Sequence, residues 1–395
     1  MRRLDPELRL RAASFLSSFD RFTIPPLIVP IHRDFGISLG HAAVLASAYF
    51  VTYGVSQPLW GALSDRVGRA AVLRFAVLAG GLASVVATVA PGFAVLLVAR
   101  TLAGLFFAAV VPTAITYLGD TVADARRQHA LVLLMASATS GLAIATVASG
   151  VAAEVVGWRA AFGASAVVSV VVTVVLWRLP EPAVDRGSGS LAARVRSVLA
   201  QRWVLVVVGL AFLEGSVIFG SLTFVAASLQ QDGVSASLAG SAAAGFGLAN
   251  LLCTPLVTRA ITRVSSPRLI GGGAAMAAAG LTLAAVGSTV ATAVVATLAL
   301  GAGFGFLHST LQLWATQVHP EARALSVSLF ASAIFVGGAA ASAAAAPLAD
   351  ADRFALIFAL SAVLAGVLAV AGATLRARYV VQEEGPSREA TAVAL

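Results

Sequence analysis

Two carboxyl groups stand inside otherwise apolar stretches of the sequence, Asp20 in SSFDRFTIPP and Glu214 in FLEGSVIFG. Removal from water favours the neutral, proton-bearing form of a carboxyl group, so both are predicted to load and release protons. Asp20 is the stronger candidate, because the two prolines at 25–26 should break a helix just beyond it. Two structural alternatives stay open: an ion pair between Asp20 and the adjacent Arg21, and a hydrogen-bonded interior carboxyl at Glu214.

A third charged residue inside an apolar stretch is Arg100, a candidate for proton coupling, which lies one helical turn before Gly104 in the segment LLVARTLAGLFFAAV. A guanidinium group does not give up its proton, and placing it at the centre of a membrane helix costs roughly 2.5–3.5 kcal/mol. We therefore expect Arg100 to face a cavity or a partner rather than lipid. The alternative is that its long side chain reaches the membrane surface.

The polar run GALSDRVGR separates two long apolar stretches. Its glycines, Gly61 and Gly68, are predicted to turn the backbone tightly. The charged side chains Asp65, Arg66 and Arg69 would then stay outside the hydrocarbon. An ordinary positively charged loop would have a similar composition.

A substrate path is predicted from the few other polar residues within apolar segments. They are Arg21, the sole asparagine Asn250, His308 and Gln312. The amide-rich lining expected of a sugar permease is missing, and 20 phenylalanines favour a lipophilic or amphipathic cargo. A satisfied interior histidine is the alternative for His308. The five histidines are scattered, so no metal or cofactor site is predicted.

The composition excludes a soluble globular enzyme. Apolar residues make up 59% of the chain, charged residues only 11%, and the mean hydropathy is +0.93, which leaves too little polar surface for a water-soluble particle. The net charge of +8 comes from arginine alone. Because the arginines alternate with apolar segments and form no single patch, nucleic acid is not predicted as a partner. The lone cysteine, Cys253, cannot close an internal disulfide.

Apolar segments near 20 residues, the length that crosses a bilayer core of ~30 Å, recur along the chain. They must be α-helices, because open strands would leave backbone amide groups unpaired in hydrocarbon. Twelve spans are predicted, at residues 12–31, 42–62, 71–89, 94–117, 129–152, 160–178, 204–227, 236–257, 268–287, 292–314, 325–348 and 354–375.

The polar stretch at 179–203 divides these spans into two sets of six, and Gly187 to Ser190 within it should form a flexible connector. Weak internal similarity supports two pseudo-repeats: VADAR at 122–126 and HPEAR at 319–323 are 197 residues apart (319 minus 122). The predicted organisation is an N-terminal bundle, a cytoplasmic linker, a C-terminal bundle and a cytoplasmic tail, at 1–178, 179–203, 204–376 and 377–395.

The arginines also predict the orientation in the membrane. Three of the 26 lie in turns on one side and two lie within spans, which leaves 21 (26 minus 5) on the other side. Since cytoplasmic loops carry the excess of positive charge, both termini are predicted to be cytoplasmic. Asp20 and Arg21 interrupt the first apolar segment, so it is predicted to be a retained span and not a cleaved signal peptide.

The polar run resembles a signature of the major facilitator superfamily, whose loop between spans two and three reads G-x-x-x-D-R-x-G-R. The resemblance implies that Gly61 and Gly68 are the required glycines. It implies that Asp65, beside Arg66 and Arg69, contacts the other half and helps to latch the outward-open state. Arg100 is similar to the arginine of an R-x-x-x-G signature that proton-coupled members carry in span four, which implies a part in proton coupling.

FDRF in span one, GALSDRVGR, FLEGSVIFG and GFGFLHSTLQ are together similar to the drug:proton antiporters of that superfamily. The resemblance implies a monomeric inner or plasma membrane protein that exports a small molecule by alternating access while protons enter. An uptake symporter or uniporter on the same fold is the first alternative. An intramembrane enzyme is the second, and it is disfavoured because no Ser, His or Asp constellation has the required spacing.

Overall fold

The computed structural model describes residues 5–182 and 196–379. Within them the chain forms twelve helical spans, and no strand is present in these two stretches, so the predicted all-α architecture is confirmed. Span one consists of the helix Pro6–Phe22, the 3₁₀ turn Pro25–Leu27 and the helix Ile28–Phe35. The remaining spans, two to twelve, are Leu39–Val67, Arg69–Thr88, Phe93–Thr121, Asp124–Val155, Trp158–Trp177, Arg202–Gln231, Ala236–Ile261, Ser266–Val286, Val290–Gln317, Arg323–Asp350 and Phe354–Arg378.

Ten of these spans are long and apolar enough to cross a membrane. The other two are span one, which is broken into short pieces, and span two, which carries Tyr49, Tyr53 and Gln57 among its buried residues. Large apolar side chains such as Val55 and Leu252 lie exposed on the outer surface of the bundle. The two least apolar spans therefore place polar groups inside the bundle, where they do not meet lipid.

Local sequence explains where the helices break. Pro25 and Pro26 lack the backbone N–H that an α-helix needs, so span one tightens into a 3₁₀ turn at its middle. Spans two and three are separated by Gly68 alone, whose φ of 117° is a conformation that favours glycine. The prediction that Gly61 also forms a turn is wrong, because span two continues as a helix through Gly61 to Val67.

Spans one to six pack as one half and spans seven to twelve as the other. The halves meet along two pairs of helices, span two with span eleven and span five with span eight. Small residues bring the backbones together: a Cβ on Gly54 would lie 2.8 Å from the Ser332 carbonyl oxygen. The exact domain boundaries stay a prediction, since most of the linker predicted at 179–203, including Gly187 to Ser190, and the tail beyond residue 379 lie outside the described residues.

The two ends of the bundle differ. We call them the Gly68 end and the Asp350 end, after a residue at each. Asp350 accepts hydrogen bonds from Gly40 N at 2.5 Å and Ser38 Oγ at 3.0 Å, across the two halves. A second link at that end joins Ser237 N to Glu154 at 3.1 Å.

A third link lies deeper, where Gln230 Nε2 donates to the Pro26 carbonyl oxygen at 3.0 Å. Between the described residues of the two halves, no hydrogen bond or ion pair is found at the Gly68 end. The hydrogen bonds found between the described parts of the halves thus lie at the Asp350 end and in the middle of the bundle.

Candidate functional site

Asp20 and Arg100 form a fully buried ion pair between span one and span four. Arg100 Nη2 donates to Asp20 Oδ2 at 2.7 Å, and Nη1 donates to Oδ1 at 3.0 Å, while both side chains are 0% exposed. Ser84 of span three donates to the same carboxylate at 2.8 Å. The Arg100 guanidinium also lies over the rings of Tyr49 and Phe162, at 4.9 and 4.7 Å. Five spans of the first half, one to four and six, therefore converge on one charge pair.

The break in span one contributes to this arrangement. The first helix ends at Phe22, so carbonyl groups of its last turn are available to outside donors. Arg100 Nη2 uses one of them and donates to the Asp20 carbonyl oxygen at 3.0 Å. The alternative in which Arg100 reaches the membrane surface is wrong, and so is the alternative of an Asp20–Arg21 pair, because Asp20 is paired with Arg100.

Arg21 points elsewhere, into a cage of aromatic rings. Its guanidinium carbon lies 4.6 Å from the ring centre of Tyr53, 4.7 Å from that of Phe335 and 5.0 Å from that of Phe22. Phe335 belongs to span eleven, so the guanidinium lies at the interface of the two halves. Among the described residues its one hydrogen bond goes from Nη2 to Ser18 Oγ at 3.1 Å.

Glu214 of span seven and His308 of span ten lie together in the second half. His308 Nδ1 is 3.2 Å from Glu214 Oε1, and Glu214 is 0% exposed whereas the His308 side chain is 25% exposed. Glu214 Oε2 has no hydrogen-bond partner among the described residues. A π-helical turn, Ser216–Gly220, begins two residues after Glu214, and such turns frequently mark functional sites. Sequence reasoning selected both residues but did not pair them.

Aromatic rings from both halves fill the space between these groups. Phe219 stacks on Phe335 with ring centres 5.5 Å apart and the planes 2° from parallel. Phe22 from span one lies 5.7 Å from Phe219, and Phe304 from span ten lies 6.0 Å from it. The midpoints of spans one, two, seven, ten and eleven thus meet in one aromatic cluster, which consists of Phe22, Phe50, Tyr53, Phe219, Phe304 and Phe335.

The other two residues of the predicted path lie beside this cluster. Gln312 is half-buried and follows His308 by one helical turn, on the same side of span ten and toward the Gly68 end. Asn250 is half-buried on span eight, and its Oδ1 faces Gly305, where a Cβ would lie 3.3 Å away. Neither residue has a hydrogen bond to Asp20 or Glu214.

At the Gly68 end, Arg69 holds the predicted latch residues together within the first half. Its guanidinium bonds Asp65, donates to Asp120 of span four at 3.1 Å and donates to Ser64 Oγ at 3.0 Å. Arg66 is exposed. In this conformation Asp65 therefore contacts its own half, and its predicted contact with the other half stays a prediction.

Sequence reasoning missed a second acid at this end, Glu181. Its carboxylate accepts from the backbone N–H groups of Ala70 and Ala71, at 3.1 and 3.0 Å, and so caps the first turn of span three. A Cβ on Gly68 would lie 2.7 Å from the Glu181 carboxyl carbon. A side chain at this position would therefore displace the Glu181 carboxylate, and the φ of 117° also favours glycine. The missed signal was the first carboxyl group after span six, in the segment LPEP.

The bundle also has a wide groove outside the aromatic cluster. It has a volume of about 860 Å³ and lies between span five and spans eight and ten, lined by residues such as Val147, Leu248 and Leu298. Because it contains no charged side chain, it lacks the chemistry of the central site. Among the residues that the structure describes, no group of three or more potential metal ligands is found.

The sequence model of the Major Facilitator Superfamily matches residues 11–232 and 204–394. Curated relatives include the uncharacterized MFS-type transporter YybF of Bacillus subtilis (strain 168), which is 26% identical over 173 residues, 43% of each chain. Multidrug resistance protein D of Escherichia coli (strain K12) is 30% identical over 137 residues, 35% of each chain. Puromycin resistance protein pur8 of Streptomyces alboniger is 29% identical over 149 residues, 38% of this chain and 30% of the relative. The matches thus span less than half the length of these curated relatives.

Solved structures match over nearly the whole length. A bacterial homolog of the human lysosomal transporter Spinster, in an inward-facing and unoccupied conformation, has a TM-score of 0.76 at 19% identity and covers 95% of this chain and 98% of its own. A D-xylose–proton symporter has a TM-score of 0.78 at 15% identity, with 96% and 98% covered. At this level of identity the likeness shows the fold alone.

Proposed function

The chain belongs to the Major Facilitator Superfamily and is a multi-pass membrane transporter, and from this premise we propose that it exports small lipophilic or amphipathic compounds in exchange for protons. The family and the fold are those of transporters and not of enzymes. Two relatives are named for resistance to drugs, multidrug resistance protein D and the puromycin resistance protein, which supports export as the direction. The lipid bilayer is its solvent, and we propose that the chain acts as a monomer.

The observation that carries proton coupling is the buried pair of Asp20 and Arg100. When Asp20 is ionised, its charge balances that of Arg100 inside the bundle. A proton arriving on Asp20 removes that balance and leaves the permanently charged guanidinium without its counter-ion. The proton therefore changes how strongly spans one, three and four are held together, and this difference can be used to bias one conformation.

The difference in hydrogen bonding between the two ends of the bundle supports alternating access. With both termini cytoplasmic, as we propose, the Gly68 end faces the cytoplasm. We propose that the described conformation is open to that side, because the hydrogen bonds between the halves lie at the Asp350 end and in the middle of the bundle. Cargo would then enter from the cytoplasm while Asp350 holds the other end closed. In the opposite conformation we propose that Asp65, with Arg66, Gly68 and Arg69, contacts the second half and latches the Gly68 end, as Gly61 lets span two approach.

Everted membrane vesicles test this proposal with three probes of one shape. Naphthalene-2-sulfonate, naphthalene-2-sulfonamide and naphthalen-2-yltrimethylammonium are an anion, a neutral compound and a cation, and neither ion dissipates a pH gradient by carrying a proton through lipid. Vesicles with an acidic lumen should become more alkaline inside when a transported probe is added, and Asp20→Asn vesicles should not. Uptake of a probe by wild-type vesicles without this alkalinisation would identify a symporter or uniporter instead.

A further inference from the structure

Arg21 is a permanent positive charge at the level of the aromatic cluster. The nearby acids have other partners: Asp20 is paired with Arg100, and Glu214 lies 3.2 Å from His308. Arg21 has no ion pair with any residue that the structure describes. The middle of the bundle therefore holds a permanent positive charge that no described acid pairs with.

The guanidinium is buried but incompletely bonded. Arg21 is 8% exposed, and its Nε has no hydrogen-bond partner among the described residues. Three ring faces and one serine hydroxyl surround the group, and ring faces attract a cation without satisfying its N–H donors. Its planar fork of donors matches the oxygen atoms of a carboxylate or sulfonate.

The position of Arg21 favours a role in binding over a role in packing. A leucine or methionine would pack against the rings of Tyr53 and Phe335 without bringing a charge into the interior. Because Tyr53 and Phe335 belong to different halves, the charge lies where the halves must separate to admit cargo. Buried ionisable residues inside membrane spans mark substrate and ion pathways.

The residues around Arg21 indicate the shape and polarity of the rest of the ligand. Phe335 is half-buried and stacks on Phe219, and Phe304 is half-buried beside them. Such rings accept a flat apolar body by stacking or by edge-to-face contact. A negatively charged group on that body would reach the guanidinium beside Phe335.

We propose that Arg21 is the anion-recognition residue of the transport site and that the cargo is an amphipathic organic anion, with a flat apolar body and one carboxylate or sulfonate group. This inference rests on the proposed function for the direction of transport, but the binding step can be measured without it. The aromatic cluster holds the apolar body, and the Arg21 fork holds the anionic oxygens. The pairs Asp20–Arg100 and Glu214–His308 stay free to respond to protons.

The test is isothermal titration of the purified full chain with the same three naphthalene probes. The wild type should bind naphthalene-2-sulfonate about tenfold to a hundredfold more tightly than the neutral sulfonamide, as expected for hydrogen bonds to a charged donor. Arg21→Gln should reduce this preference to about threefold or less, since a neutral amide lacks the charge. Arg9→Gln is the matched control: Arg9 is a buried arginine of the same helix near the Gly68 end, and its loss should leave the preference unchanged.

Several results would overturn the inference. They are a wild type that binds the cationic probe as tightly as the sulfonate, a preference that survives Arg21→Gln, and no binding of any probe at millimolar concentration. If Arg21→Gln does not fold, Arg21→Lys decides. It keeps the charge but loses the planar fork, so sulfonate binding should weaken at least severalfold while sulfonamide binding is unchanged. Equal sulfonate binding by Arg21→Lys and wild type would count against the inference.

The outcome is separable from that of the proposed function. Binding preferences do not depend on a pH gradient, so they persist if Asp20→Asn vesicles transport normally and proton exchange is wrong. Conversely, proton-driven transport of the neutral or cationic probe would support the exporter and contradict the anion site.

Discussion

Replacing Asp20 by asparagine should both destabilise the protein and uncouple it from protons. Asparagine keeps the shape of the side chain and can still accept a hydrogen bond from Ser84 or Arg100, but it removes the negative charge. Arg100, which is 0% exposed, then stays buried with a full positive charge and no counter-ion. The change therefore isolates the charge from the geometry.

The expected magnitude follows from the burial of the pair. Breaking a buried ion pair by removing one partner costs about 3–5 kcal/mol, whereas breaking an exposed pair costs about 0–1 kcal/mol. The chain contains a matched exposed pair, Asp34 and Arg159, with the same N–O distance of 2.7 Å but side chains 43% and 40% exposed. Asp20→Asn should thus raise the unfolding equilibrium constant by roughly 2.2 to 3.7 orders of magnitude, and Asp34→Asn by less than about one.

Unfolding in mixed micelles with increasing dodecyl sulfate measures these differences, and the double variant Asp20→Asn with Arg100→Gln completes a thermodynamic cycle. Because that variant removes both charges, its loss of stability should be smaller than the sum of the two single losses by about 1–3 kcal/mol. Additive losses, or equal losses for Asp20→Asn and Asp34→Asn, would show that the buried pair carries no special energy. Proton-driven transport at the wild-type rate by Asp20→Asn would remove the pair from the mechanism.

Two further changes test the packing and the closed end. Gly215→Ala should lower the free energy of unfolding by about 1–3 kcal/mol, because the new methyl group overlaps the Ile334 carbonyl oxygen. The control Gly209→Ala, in the same helix, meets nothing within 4 Å and should raise the free energy of unfolding by about 0.5–1 kcal/mol. Equal thermal unfolding of the two variants would contradict the close contact. Asp350→Asn should weaken the hydrogen bond from Gly40 by about 1 kcal/mol, which shifts the population about fivefold toward the conformation open at the Asp350 end. Distances between spin labels on the two halves measure this shift. An unchanged distance distribution would show that this contact does not hold the end closed.

Much of the fold was predictable because lipid imposes a simple rule on the sequence. Apolar length alone gave the twelve spans, and their order is confirmed for the described residues. The ends of the spans were less predictable: span two was expected to end at residue 62 and runs to Val67. Polar residues such as Asp65 can continue a helix beyond the hydrocarbon, so a change in polarity does not mark the last helical turn.

The site was predictable as a set of residues but not as a set of pairs. Asp20, Arg100 and Glu214 stand out because charges are rare in apolar segments. Their partners depend on which helices pack together, and a single sequence carries little information on that. The cation nearest to Asp20 along the chain is Arg21, yet its partner Arg100 lies 80 positions away and on another helix.

The contact between spans five and eight has a mechanical consequence. Gly150 lies against the Ala236 carbonyl group and Gly240 against the Thr146 carbonyl group, so at these places main chain rests on main chain. Two helices that meet in this way can rotate against each other, since a change in the angle between them forces no side chain out of its rotamer. The size of the residues at this contact would set how far the two halves can rotate, and each added methyl group would reduce that rotation.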